Sequence, residues 1–88
     1  MANHASALKR ARQAEKRRMI NRATRTRVRN AVKSVRQALE SKDVQQAQEA
    51  LKQAVSVIDK AAGKGVLHNR TASRYVARLS SQVQGLGA

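Results

Sequence analysis

The chain has 88 residues and a formal net charge of +14, with 19 Lys plus Arg against 5 Asp plus Glu. The 41% hydrophobic share overstates its core, because 16 of those residues are Ala, only 17 are Leu, Ile or Val, and there is no Phe. Few bulky aliphatics combined with high charge put the chain at the edge of folding alone, so a polyanionic partner is expected to complete it.

The length allows one domain, 1–88. With no Cys there is no disulfide framework, thiolate site or Cys nucleophile, and two His are too few for a zinc site. With a single Tyr, Tyr75, and no Trp or Phe, aromatic stacking platforms of the kind that bind single strands are not expected. No apolar run approaches the roughly 18 residues of a membrane span, and no signal-peptide core follows Met1. The Arg-rich, acid-poor start has the composition of an organellar transit peptide, but the basic pattern continues without a break into the body of the domain, which argues against that reading.

The chain has no Pro, and its four Gly fall at 63, 65, 85 and 87. Strong helix formers dominate everything before them, and no stretch alternates like a strand, so the fold is expected to be all-α. The first helix is placed at about 7–40, with Ser6 as its cap. Ile20, Ala23, Val28, Ala31, Val32, Val35, Ala38 and Leu39 fall within an arc of about 180°, the face expected to pack on the rest. Upstream of Ile20 that stripe disappears. At about 50 Å, against about 31 and 24 Å for the two helices that follow, the first helix should project beyond a three-helix bundle.

The second helix is placed at about 44–64. Val44, Ala47, Leu51, Ala54, Ile58 and Ala61 repeat at 3-4-3-4-3 spacing, the mark of one packed face. Asp43 is the expected N-cap, with Gln46 three residues on to complete a capping box. Gly65 is the expected left-handed stop, with Val66 folding back over the helix end. The third helix is placed at about 69–84, capped by Asn69 or His68, packed through Ala72, Val76, Leu79, Val83 and Leu86, and fraying at Gly85.

Charge is concentrated at the front. Residues 1–36 carry 12 Lys or Arg and one acid, Glu15, for a net of +11. Arg18, Arg22, Arg25, Arg29, Lys33 and Arg36 repeat at helical spacing and lie within about 80° of one another, nearly opposite the apolar arc. Arg27 breaks the pattern and must snorkel or find a carboxylate. Further upstream, Lys9, Arg10, Arg12, Lys16 and Arg17 point around most of the circumference. No protein core can absorb that, so this segment is expected to gain its order from nucleic acid. Arg70, Arg74 and Arg78 form a second, shorter ridge that Lys64 and His68 extend.

A basic run is usually just a solvated face. Here, however, carboxylates are nearly absent from the same faces, and aligned cations without acids destabilise a lone helix. Arg outnumbers Lys by 12 to 7, and its planar fork matches phosphate oxygens two at a time. The faces therefore read as polyanion-binding, dominated by phosphate contact rather than base readout. A long helix charged on all sides suits a crevice between structured RNA helices. His4 and His68 read first as caps or surface residues, and Tyr75, beside Val76, reads as packing rather than base stacking. The five acids are scattered and form no acid–base pair, so no enzyme, cofactor or small-molecule substrate is expected.

These residues resemble a known family. Met1-Ala2-Asn3-His4, Ser6-Ala7, Lys9-Arg10, Lys16-Arg17-Arg18 and Asn21-Arg22 are similar to the start of bacterial small-subunit ribosomal protein S twenty. The more specific match is Asp59-Lys60-Ala61-Ala62, then Lys64-Gly65-Val66-Leu67-His68, then Ala72, Arg74 and Arg78-Leu79. The resemblance spans essentially the whole chain. It implies a three-helix bundle in the cytoplasm, on the ribosome, that binds small-subunit ribosomal RNA directly and early in assembly, with few or no direct protein contacts required. RNA contacts carry over most directly to Lys9, Arg10, Arg17, Arg18, Arg22, Lys64, His68, Arg74 and Arg78. The chain departs from the usual pattern at Gly63, at Asn69-Arg70 and at Tyr75-Val76. The alternative is an architectural DNA-binding protein of the nucleoid, a class that commonly shows dimerisation surfaces or wedge residues, neither of which is evident here.

Overall fold

The computed structural model describes residues 2–87, with side chains described for 5–87; the side chain of His4 lies outside them. The described residues form three helices and no strand: α1 (Ala2–Glu40), α2 (Val44–Gly63) and α3 (Asn69–Gly87). The three-residue link 41–43 folds α2 back along α1. At the far end of the hairpin formed by α2 and α3, Gly87 lies against Val44, with a Cβ built on Gly87 coming 3.9 Å from Val44 Cγ1. α2 is the central element, since it packs on both neighbours while α1 and α3 touch each other far less.

The core is small-residue packing. Val28, Val35 and Ala38 of α1 are buried against Ala47, Ala54, Ile58 and Ala61 of α2 and Ala72, Leu79 and Val83 of α3. Half-buried Ala31, Val32, Leu39, Leu51, Val76 and Leu86 flank it. Ile58 and Val35 are the largest side chains fully removed from solvent.

The same hydrogen-bonding device ends the first two helices. After α2, Gly65 N donates to Ala62 O and Val66 N to Ala61 O, both at 3.0 Å, with Gly65 at φ +78°. After α1, Lys42 N donates to Leu39 O at 3.2 Å and Asp43 N to Ala38 O at 3.3 Å, with Lys42 at φ +57°. Both are Schellman caps, in which a left-handed residue lets two backbone N–H groups satisfy the last carbonyls. The sequence marks only the one made with Gly.

Several expectations are corrected. α1 starts at Ala2, so Ser6 lies inside the helix and does not cap it. Ile20, 52% exposed, and Ala23 are outside the core, and the buried residue at that level is Thr24. Its hydroxyl donates to Ile20 O at 3.0 Å, which satisfies the polar group where it is buried. α2 ends at Gly63 with Lys64 as its C-cap, one residue short of the expected end. Within α2, Leu51 is half-buried and Val44 exposed, because they lie at the margins of the stripe that Ala47, Ala54, Ile58 and Ala61 centre. α3 does not fray at Gly85: Leu86 packs on the core and carries the helix to Gly87. Arg27 is exposed and needs no carboxylate inside.

The projection is as expected. A 39-residue helix is about 58 Å long, and the molecule measures 67 × 22 × 13 Å. Residues 5–20 are exposed except for half-buried Ala14.

Candidate nucleic-acid interface

The basic face of α1 stays at the surface while the neighbouring stripe packs; the two adjoin at Val28 and Val32 rather than standing nearly opposite, as the sequence suggests. With Val28, Val35 and Ala38 pinned against α2 and α3, helical geometry leaves Arg18, Arg22, Arg25, Arg29, Lys33 and Arg36 in solvent, and all six are exposed. Lys9, Arg10, Arg12, Lys16 and Arg17 are exposed as well, on turns of α1 where every residue from 5 to 20 but half-buried Ala14 is exposed.

The second ridge starts at a tight corner. Asp43 caps α2, accepting from Gln46 N through Oδ1 at 3.1 Å, but its own N–H donates to Ala38 O, so Gln46 does not complete the expected capping box. Gly65 then reverses the chain, and His68 caps α3, its Nδ1 accepting from Arg70 N at 3.1 Å. Of the two residues that the sequence leaves open as cap, His68 does the work. Any contact from His68 to a phosphate therefore falls to Nε2. Lys64, His68, Arg70, Arg74 and Arg78 are all exposed.

The structure joins these ridges at one point. Because α1 and α3 meet only lightly, a groove of about 770 Å³ stays open between them. Arg25, Arg29, Lys33 and Arg36 line it from α1, and Arg78 lines it from α3. Val28, Val32, Leu67 and Leu79 are its less exposed lining, with Tyr75, Ser81 and Gln82 completing it. Sequence reasoning placed Arg78 on its own ridge and Tyr75 in packing; Tyr75 is 38% exposed. Lys64, His68, Arg70 and Arg74 do not line the groove.

The opposite seam contrasts with it. Between α1 and α2, Ser34, Gln37, Ser41, Gln46, Glu49 and Gln53 line a shallower depression that has no Lys or Arg. Of the two depressions, only the α1–α3 groove is lined by cations.

Among the described residues no group of three or more His, Asp or Glu is placed to hold a metal ion, and no helix is long and apolar enough to cross a membrane. Fold and site together define a basic, all-α protein with an extended surface of exposed cations. The comparisons name the family. The family model described as Ribosomal protein S20 matches residues 2–84. The chain is 57% identical over 86 residues to the small ribosomal subunit protein bS20 of Syntrophobacter fumaroxidans, covering 98% of this chain and 100% of that one. It is 52% identical to the protein of that name from Oleidesulfovibrio alaskensis, with 98% and 99% covered, and 48% identical to that from Geobacter metallireducens, with 99% and 100% covered. The chain belongs to the ribosomal protein S20 family.

Proposed function

We propose that the protein holds small-subunit ribosomal RNA in its folded arrangement by neutralising phosphates where RNA helices converge. As a member of its family it is a structural component of the small ribosomal subunit, not an enzyme, and it works on the ribosome in the cytoplasm. The observation that carries the phosphate-binding role is the six-cation face from Arg18 to Arg36, exposed throughout and backed by the bundle core from Arg25 onward.

The geometry supports a division of labour. Arg18, Arg22, Arg25, Arg29, Lys33 and Arg36 track one line of phosphates. Lys9, Arg10, Arg12, Lys16 and Arg17 surround the projecting turns and meet RNA on several sides at once. Lys64, His68, Arg70 and Arg74 hold a second strand at the α2–α3 corner, and Arg78 faces the α1 cations across the groove. The projecting turns have no protein neighbour to stabilise them, so RNA supplies the contacts that hold them helical. The whole chain acts as a single RNA-binding domain and needs few or no direct protein contacts.

Two measurements test this. In competition binding, folded small-subunit ribosomal RNA should displace the protein from duplex DNA at equal phosphate concentration; equal affinity would instead indicate an architectural DNA-binding role. Circular dichroism near 222 nm, corrected for the RNA, should show helix content rising as RNA is added. No change would mean that the projecting turns need no RNA to fold.

A further inference from the structure

Binding phosphates needs cations at a surface, not an apolar hollow beneath them. Yet beside the α1 cations the groove reaches down to buried Val28 and Leu79 and half-buried Val32 and Leu67. Its volume of about 770 Å³ lies among pockets that take whole small molecules, about 300–1,000 Å³. The one aromatic side chain of the protein, Tyr75, lines this hollow and keeps 38% of its surface in solvent. A core residue would hide that ring, and a purely electrostatic surface would have no use for it.

We infer that the groove receives one unpaired nucleotide of the bound RNA, its base stacked on Tyr75 and its flanking phosphates held by Arg29 and Arg78. The inference rests on the RNA-binding role proposed above. The chemistry of the lining selects the occupant. A nucleotide brings a flat apolar face and negative charge in a single unit, which is what an aromatic ring, an aliphatic floor and a cationic rim complement together. A peptide would need acidic and apolar groups interleaved to match the same lining. Ser81 and Gln82, which line the same groove, add a hydroxyl and an amide for the edge of the base.

The chain supplies its own probe. It has one Tyr and no Trp, so its tyrosine emission reports Tyr75 alone. Three RNAs are compared: a fully paired duplex, the same duplex with one bulged adenosine, and the same duplex with an abasic residue at the bulge. The wild-type protein should bind the bulged adenosine about tenfold more tightly than the other two, given the strength of a single base–aromatic stack, and its Tyr75 emission should be quenched only there. Tyr75→Phe should retain the preference and Tyr75→Leu should abolish it, with melting temperature and salt dependence unchanged in both. Equal affinity of the wild type for the three duplexes overturns the inference, as does a preference that survives Tyr75→Leu. Small-subunit ribosomal RNA is titrated alongside. If the protein binds it but treats the three duplexes alike, only the groove assignment fails; if it does not bind it, the RNA-binding role itself fails.

Discussion

α1 is one continuous helix in two environments. From Thr24 to Leu39 it has a buried side and an exposed basic side, and each fixes the other. From Ala5 to Ile20 it has the same kind of composition but no buried side, because α2 and α3 are half its length and do not reach it. The difference shows what makes a basic face directional. In the bundle half, apolar residues at 3-4 spacing orient the cations along one line. In the projecting half, up to Arg17, no packed stripe orients them, and they ring the helix. The first half suits a surface of RNA, the second a crevice.

The comparison breaks most sharply at the core. Ile58→Ala, at a fully buried site, should cost about 2–5 kcal/mol, enough to unfold a bundle this small. Ile20→Ala, at an exposed site in the same chain, should change stability by no more than about 0.5 kcal/mol. Thermal melts followed at 222 nm check both, and a large loss at Ile20 would mean that the projecting half has a packed side after all.

The two helix ends sharpen it further. Gly65→Ala puts a side chain at φ +78°, where space is free but the backbone is strained, and should destabilise by about 1–2 kcal/mol. Lys42 already carries that strain after α1, so Lys42→Gly should stabilise by up to about 1 kcal/mol. Gly63→Ala should add up to about 1 kcal/mol as well, since Gly63 is helical with open space at its Cβ. Urea titrations resolve these opposite signs. If Lys42→Gly destabilised the protein, the cap would depend on the lysine side chain rather than on backbone freedom.

Much of this was legible in the sequence for physical reasons. Asp43 as cap and Gly65 as stop need only local chemistry, and both formed as expected. The α2 and α3 stripes have clear 3-4 spacing and gave most of the core. At the top of the α1 face, Ile20 and Ala23 are apolar yet lie off the packed stripe. Extending the 3-4 spacing upstream from Val28 reaches Thr24 and Asn21, the residues that are buried or half-buried. Lys42 could not be anticipated, since its left-handed backbone is imposed by the α1–α2 packing and not by its own preference. The groove was not legible either. It exists because α1 and α3 diverge, and a ridge on each helix gives no sign of the distance between them.

The central claim is that the exposed face of α1 binds RNA phosphates, and the salt dependence of binding tests it most directly. Affinity for small-subunit ribosomal RNA is measured across a range of salt for the wild type and for a variant carrying Arg18→Gln, Arg22→Gln, Arg25→Gln and Arg29→Gln. Four lost phosphate contacts should lower affinity about a hundredfold to a thousandfold at about 0.15 M salt and make the log–log slope shallower by about three to four. Melting temperature should hold, because all four side chains are exposed. Wild-type affinity with a wild-type slope would contradict the account and place the RNA on another surface.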